Sequence, residues 1–495
     1  MSSTRNPNEV PVTVDVVLAN PPWELPAGFT SVRAGSRWPH TRKVNEQILE
    51  EFPFPFLLAY TTALLNRAGL TAMVIDCLAQ KIGLDEFIGR LQALQPRLLV
   101  LETSSPSFAA DILVIKKIKA ALGVPLALAG PHPTFMAEDI LTQHPEVDYC
   151  LLGEYEYPVL ALASGQPAAE IPGVAGRQDG LVRVSPPASG PGLPPLDDLP
   201  YPERDQLDVL THYNENFCRH VPNITLVSSR GCPHRCIFCL EPIYYAGYRA
   251  RAPEKVVDEM FYLRDRYHPR EFYFDDSSFT VGEKRVRDIC RSLIDRQLGL
   301  PWSAMGDGMV GSETLKLMRR AGCGGLKFGV ESADPDILKR MKKPVNLDQV
   351  RRVVAVCRSL GIRTHATYAF GGPGENDRTI EHTLRFAIRL NTDTAQFSCM
   401  VPFPGTPLFD QARTQGWLLT TDFSRFDGLN ESVLGYPDCS GPRIVAAVKE
   451  GKRRLLRNII IRHPAVALKG AINLIRREGF GMFWEKLREI GAIIA

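Results

Sequence analysis

No apolar run in the 495 residues is long enough to span a bilayer as a helix, so no transmembrane segment is expected. Charge of one sign is scarce as well. The 58 Lys and Arg nearly balance the 55 Asp and Glu, a net charge of +3 that implies no nucleic-acid partner. The opening MSSTRNPNEVPVTVDVV has no apolar core of the kind a secretion signal carries, so a cytoplasmic location is expected. Cysteine is sparse and odd in number. Eleven residues scattered over this length do not make a disulfide framework. Eight of them (Cys77, Cys150, Cys218, Cys290, Cys323, Cys357, Cys399 and Cys439) stand alone and read as small buried apolar residues.

What is present is length and alternation. At 495 residues the chain exceeds what one hydrophobic core organises, and two domains with an extension are expected. Residues 1–165 alternate short apolar runs with helix-length amphipathic stretches. The strands are expected at Val14–Ala19, Thr71–Ile75, Leu98–Leu101, Pro125–Ala129 and Tyr149–Leu152, and helices at Phe56–Ala68, Leu84–Leu94 and Phe108–Leu122. That order predicts a doubly wound α/β domain with a parallel sheet, whose ligands bind at the carboxyl ends of the strands. Residues 166–204 are rich in Pro and Gly and read as a linker.

Alternation resumes over residues 205–416, with strands expected at Ile224–Ser228, Glu271–Phe274, Trp302–Met305, Gly325–Val330, Thr364–Phe370 and Thr394–Met400. Pro253–Tyr267, Glu283–Arg296 and Leu347–Leu360 are helical between them. Six such units predict a partial (β/α)6 barrel of the TIM type. Residues 417–495 lose the pattern and read as a mostly helical extension. From Arg443 onward twelve Lys or Arg stand against four Glu, with apolar residues interleaved. This tail is expected to pack over the barrel mouth with its basic face solvated; peripheral contact with an anionic membrane is the alternative.

The three remaining cysteines cluster in Ser228-Ser229-Arg230-Gly231-Cys232-Pro233-His234-Arg235-Cys236-Ile237-Phe238-Cys239, directly after the first barrel strand. Thiolates at these gaps can converge on one centre, and soft sulfur donors select iron–sulfur clusters, zinc or cuprous copper. Structural zinc takes four protein ligands, and no second Cys pair or HxxxH follows. Three ligands suggest a 4Fe–4S cluster with one open iron. The His234 ring is expected to turn to solvent or to a backbone group.

CxxxCxxC in this position resembles the radical S-adenosylmethionine superfamily, over about residues 222–415. The resemblance implies a 4Fe–4S cluster on Cys232, Cys236 and Cys239, with S-adenosylmethionine on the open iron and a 5′-deoxyadenosyl radical on its reductive cleavage. It implies a flavodoxin- or ferredoxin-type electron donor. It also implies S-adenosylmethionine contacts from Phe238, from Asp275 after the second strand, from Glu331 and Ser332 after the fourth, and from Gly371, Gly372, Pro373, Gly374 and Glu375 after the fifth. Lys339-Arg340-Met341-Lys342-Lys343 and Pro402-Phe403-Pro404-Gly405-Thr406-Pro407 also look familial. The arginine that relatives often carry after the third strand is absent, and Met305-Gly306-Asp307-Gly308 stands there.

Residues 12–165 resemble the cobalamin-binding domain of cobalamin-dependent radical enzymes. The resemblance implies cobalamin contacts from Asn20, Pro21, Pro22, Asp76, Ser104, Ser105, Gly130, Pro131, His132, Gly153 and Glu154. The DxHxxG motif of methionine-synthase-like proteins is missing; Leu78 occupies the histidine position, so no histidine is expected on the lower face of cobalt. Together the two resemblances imply methylation of an unactivated carbon on a small-molecule or lipid-like substrate. A cobalamin-linked oxidative cyclase is the alternative. A methylthiotransferase would need a second set of cluster cysteines, and the N-terminal domain holds only Cys77 and Cys150.

Overall fold

The computed structural model describes residues 13–23, 52–188, 192–428, 430–462 and 472, together with the backbone of 30–34 and 38–42. The N-terminal domain begins with β1 (Val16–Asn20), β2 (Thr30–Ala34) and β3 (Trp38–Arg42), the last two a separate antiparallel ribbon. α1 (Phe56–Arg67), β4 (Ala72–Asp76), α2 (Leu84–Leu94), β5 (Leu98–Glu102), α3 (Phe108–Leu122), β6 (Leu126–Ala129), α4 (Pro131–Gln143), β7 (Tyr149–Leu151) and α5 (Glu156–Ala163) follow. The sheet runs β4-β1-β5-β6-β7, all parallel, with the chain reversing direction across β1. This is the expected doubly wound topology, and strand order reverses beside the carboxyl end of β1.

The strand sequences explain their burial on both faces. Val16, Leu18, Val74 and Val100 point to one core, and Val17, Ala19, Ile75 and Leu101 to the other. The first of these cores is continuous with that of the barrel. The sheet is thus covered by its own α2, α3 and α4 on one face, and by α1, α5 and the second domain on the other.

The expected linker is only partly a linker. Within it, β8 (Val174–Gln178) and β9 (Leu181–Val184) form a hairpin that extends the first sheet antiparallel to β7. The turn Asp179-Gly180 between two apolar-polar runs is the local cause. Pro and Gly abundance on either side concealed it. Its final residues are pinned to the second domain: Arg249 donates to the Pro194 carbonyl at 2.9 Å, and the Ala252 amide to Asp197 at 2.9 Å.

After α6 (Val209–His212) comes the second sheet, of β10 (Asn223–Leu226), β13 (Glu271–Phe274), β14 (Trp302–Gly306), β15 (Cys323–Glu331), β16 (Arg363–Phe370) and β17 (Thr394–Cys399). β11 (Ser229–Gly231) and β12 (Tyr248–Ala250) form a small ribbon above it, joined by α7 (Glu241–Tyr244). All six strands of the sheet are parallel and paired in chain order, and β10 does not meet β17. The connecting helices are α8 (Pro253–Tyr267), α9 (Glu283–Asp295), α10 (Ser312–Arg320), α11 (Pro335–Arg340), α12 (Leu347–Leu360) and α13 (Asp377–Leu390), followed by α14 (Pro407–Thr414). Their starts are written locally. Asp334 and Asn346 cap α11 and α12, and Asn376 with Thr379 makes a capping box on α13.

α15 (Gly441–Arg462) buries Ile444, Ala447 and Val448 and packs along β17 and α13. This part of the extension therefore covers the side of the open barrel rather than its mouth. Apart from residue 472, the rest of the basic tail lies outside the described residues. No helix among the described residues is long and apolar enough to cross a membrane. The eight isolated cysteines are all buried.

Candidate active site

The cysteine loop is held from four sides. Asp276 accepts from the Ser228 amide at 2.8 Å and hydroxyl at 2.9 Å, and from the Ser229 amide at 2.5 Å and hydroxyl at 2.8 Å. These bonds turn the chain from β10 into β11. Gly231 then sits at φ +73°, where a Cβ would lie 1.7 Å from the Gly247 carbonyl oxygen. Only glycine allows the ribbon to close there. Farther along, the Ile237 amide donates to the Met341 carbonyl at 3.0 Å, and the Ile237 carbonyl accepts from the Leu408 amide at 2.9 Å. Met341, in the Lys339–Lys343 stretch after β15, and Leu408, next after the Pro402–Pro407 stretch, thus clamp the middle of the loop.

Cys236 is buried, and Cys232 and Cys239 are partly exposed. Burial pushes all three thiols up, Cys236 to about 11. Cys232 and Cys236 each act electrostatically on Cys239, so the three sulfurs share one neighbourhood. Among the described residues no group of three His, Cys, Asp or Glu is arranged to hold a single metal ion. Three soft thiol donors on one loop suit an iron–sulfur cluster by their chemistry. The His234 ring departs from expectation. Its Nε2 lies 4.0 Å from Asp307 Oδ2, the residue standing where relatives often carry arginine. Burial opposes the Asp307 charge, but His234, the Met309 amide and Thr280 outweigh it and hold the carboxyl below its usual range.

The residues expected to meet S-adenosylmethionine divide into two groups. Phe238, within the loop, and Asp275, just after β13, are partly exposed. Glu331, at φ +65° on the end of β15, turns its carboxylate toward Lys343 Nζ at 3.3 Å. A Cβ on Gly329 would lie 2.0 Å from Glu331 Oε1, so the bare glycine makes room for that carboxylate. Ser332 and Glu375 are different: both are fully buried and brace turns. The Ser332 hydroxyl accepts from the Asp334 amide at 3.1 Å and meets Thr383 Oγ1 at 3.2 Å. Glu375 accepts from the Gly371 amide beneath the Gly371, Gly372, Pro373, Gly374 turn, while Tyr436 Oη donates to the Gly371 carbonyl at 2.7 Å. For these two, direct cofactor contact gives way to support of the backbone that would make it. Tyr368 was not anticipated; its hydroxyl is buried beside Glu331 without a protein partner.

Burial raises the Glu375 carboxyl from 4.5 to about 7. The folded chain therefore holds a proton that the unfolded chain releases between these values. The Glu375 contribution to stability is full below pH 4.5 and is lost as pH rises to about 7, a change of about 3 kcal/mol. Glu375→Gln should flatten that fall in thermal unfolding across the window. An unchanged slope would show that the carboxyl is already ionised.

In the N-terminal domain, Asn20 and Asp76 are register partners at the ends of β1 and β4. Asp76 is occupied: it accepts from the Leu78 and Ala79 amides at 3.2 and 3.3 Å and from Tyr213 Oη at 3.0 Å. It ties the two domains together rather than facing a ligand. Asn20 Oδ1 is buried with no protein partner, an acceptor left for a bound group. Pro21 and Pro22 are buried beside it. Ser104 hydrogen-bonds Ser107, its hydroxyl at 3.0 Å, in the turn that starts α3. Ser105 Oγ meets His132 Nδ1 at 3.0 Å.

The His132 ring is closed between Phe108, 4.3 Å away, and Phe423, 5.2 Å away, and burial lowers its pKa to about 3. It is a neutral packed imidazole. Gly130 and Pro131 begin α4, and Gly153, two residues past β7, lies against the Tyr244 carbonyl. Glu154 is paired with Arg230 and Arg249 of the barrel domain. The carboxyl edge thus gathers Asn20, Pro21, Pro22, Ser104, Ser105, Gly130, Pro131 and Gly153, and of the expected contacts Ser104, Ser105, Asp76, His132 and Glu154 are hydrogen-bonded or paired within the protein. The small residues and the unpartnered Asn20 acceptor fit a bound cobalamin.

A doubly wound domain seated on a half-barrel, with three cysteines after the first barrel strand, is the arrangement expected of a radical S-adenosylmethionine enzyme with a cobalamin-binding domain. Comparison with known proteins agrees. Residues 226–387 match the radical SAM superfamily and residues 50–163 the B12 binding domain. The chain is a radical S-adenosylmethionine enzyme carrying a B12-binding domain. It is 28% identical over 396 residues to an uncharacterized methyltransferase of Pyrococcus horikoshii, covering 78% of this chain and 84% of that one. It is 26% identical over 386 residues to the anaerobic magnesium-protoporphyrin IX monomethyl ester cyclase of Rubrivivax gelatinosus, covering 75% and 68%. In fold it is similar to the radical S-adenosylmethionine methyltransferase TsrM from Kitasatospora setae, solved with cobalamin and a 4Fe–4S cluster. There the TM-score is 0.64 at 20% identity, over 83% of this chain and 79% of that one.

Proposed function

We propose that the chain is a cobalamin-dependent radical S-adenosylmethionine methyltransferase acting on an unactivated carbon of a small-molecule or lipid-like substrate. One observation carries the reading: the carboxyl end of β7, at Gly153 and Glu154, abuts the ribbon that launches the cysteine loop. Two cofactor edges therefore meet at one place. When bound, the cluster with S-adenosylmethionine supplies a hydrogen-abstracting radical, and cobalamin supplies a transferable methyl group. The chain's own part is to hold and orient. Cys232, Cys236 and Cys239 ligate the cluster. Glu331 accepts from ribose hydroxyls, and the Gly371–Gly374 backbone and Phe238 contact adenine. Asn20, Ser104, Ser105 and Gly130 border the cobalamin. Leu78 stands where a lower-face histidine would be, and the His132 imidazole is already enclosed.

The eleven cysteines are all unpaired, as a reducing cytoplasm keeps them, and a flavodoxin- or ferredoxin-type donor would supply the electron there. Peripheral membrane contact through the basic tail would suit a lipid-like substrate. Two checks follow. Glu331→Ala should weaken S-adenosylmethionine binding by about 1–3 kcal/mol, a loss typical of missing hydrogen bonds, while cobalamin content stays at the parent value. Equal affinity in both proteins would remove Glu331 from the site. For the reaction class, S-adenosylhomocysteine and 5′-deoxyadenosine should form in similar amounts once substrate is supplied. Product formed with 5′-deoxyadenosine alone would favour the cyclase-type reading.

A further inference from the structure

Arg230 and Arg249 are register partners across the β11–β12 ribbon. Two like charges directly opposite each other on a ribbon repel, so this pairing is unfavourable on its own. Its compensation comes from the other domain. Glu154, just past β7, pairs with both guanidinium groups, and Glu156, on the first turn of α5, lies 2.5 Å from Arg230 Nη2. The Tyr60 ring of α1 covers the Arg230 guanidinium at 5.0 Å. The Arg230, Glu154 and Glu156 side chains are 6%, 9% and 2% exposed, so water screens little of this contact. One residue beyond Arg230 is Gly231, and the next is Cys232.

We infer that Glu154 and Glu156 are positioning residues for the cysteine loop: two carboxylates of the N-terminal domain that order, through the Arg230–Arg249 pair, the ribbon from which Cys232 hangs. One contact then links domain docking to cluster placement. Loosening it should disorder the ribbon and spread the separation between the two cofactor edges without dismantling either domain. The part of this concerning cofactor separation rests on the two-cofactor reading above. The part concerning the ribbon does not.

The test compares the parent with the Glu154→Gln/Glu156→Gln variant, which keeps size and removes both charges. Hydrogen–deuterium exchange on the full chain as purified, without cofactors, should show ribbon amides of 229–231 and 248–250 exchanging at least about tenfold faster, the factor a lost charge-assisted hydrogen bond produces. Exchange in β13 to β17 should not change. Unchanged ribbon exchange overturns the proposal, as does equal acceleration throughout the barrel. On reconstituted protein, pulsed electron paramagnetic resonance between cob(II)alamin and the reduced cluster should give a broader distance distribution in the variant than in the parent. A distribution as narrow as the parent's overturns it. A parent that binds no cluster or no cobalamin would defeat the two-cofactor reading, and the exchange result would still decide the ribbon. If the double variant does not accumulate, Glu154→Gln alone is read in the same two ways.

Discussion

Alanine at Cys232, Cys236 and Cys239 together should abolish both the visible absorption of a reconstituted 4Fe–4S cluster and 5′-deoxyadenosine formation, while leaving a folded chain. The expectation follows from how the loop is anchored. Its hold on the barrel comes from the Ile237 backbone and from Asp276 beneath Ser228 and Ser229, none of which uses a sulfur. Removing three thiols that take no part in those bonds costs little packing, since Cys232 and Cys239 are only partly buried. Activity and stability should therefore separate. Far-ultraviolet circular dichroism and cobalamin content should match the parent, and iron and sulfide should fall to background. A triple variant that retains a full cluster would sink the assignment of these ligands.

Gly231→Ala should have the largest effect of any single methyl group added to this chain. The new Cβ would lie 1.7 Å from the Gly247 carbonyl oxygen and 3.1 Å from Tyr245 Cβ, and the residue would have to keep φ at +73°. Neither neighbour is the free end of a flexible side chain, so the ribbon must open. The cost should be on the order of 3 kcal/mol or more, from backbone strain and lost pairing together. The loss should concentrate in the cluster loop. Iron incorporation should fail at temperatures where the N-terminal domain still binds cobalamin. A Gly231→Ala protein with normal cluster content and unchanged melting would show that the ribbon geometry is not needed.

Much of this was legible in sequence because the relevant signals are local. Helices α2, α3, α8 and α12 fall at the expected residues, and all six barrel strands lie within two residues of expectation at each end. The cysteine spacing needed only its own loop. What stayed hidden depends on partners distant in the chain. Asp76 and Glu154 sit at strand ends, as ligand contacts do, and nothing local reveals that Tyr213 or Arg230 takes them. Ser332 and Glu375 were read as contacts because they lie inside familiar motifs, yet the turns they stabilise point their side chains inward. Glu156, two residues past Glu154, escaped notice for the same reason: its partner lies 74 positions away, in the other domain.

The central claim is that this chain moves a methyl group from S-adenosylmethionine to carbon by way of two cofactors. It is tested most directly by supplying S-adenosylmethionine with a deuterated methyl group to the reconstituted enzyme. The substrate source is an extract of a deletion strain that accumulates the natural substrate. Mass spectrometry should find the deuterated methyl group in a new product, with S-adenosylhomocysteine and 5′-deoxyadenosine released in similar amounts. A new product that forms with 5′-deoxyadenosine and carries no deuterium would contradict the account.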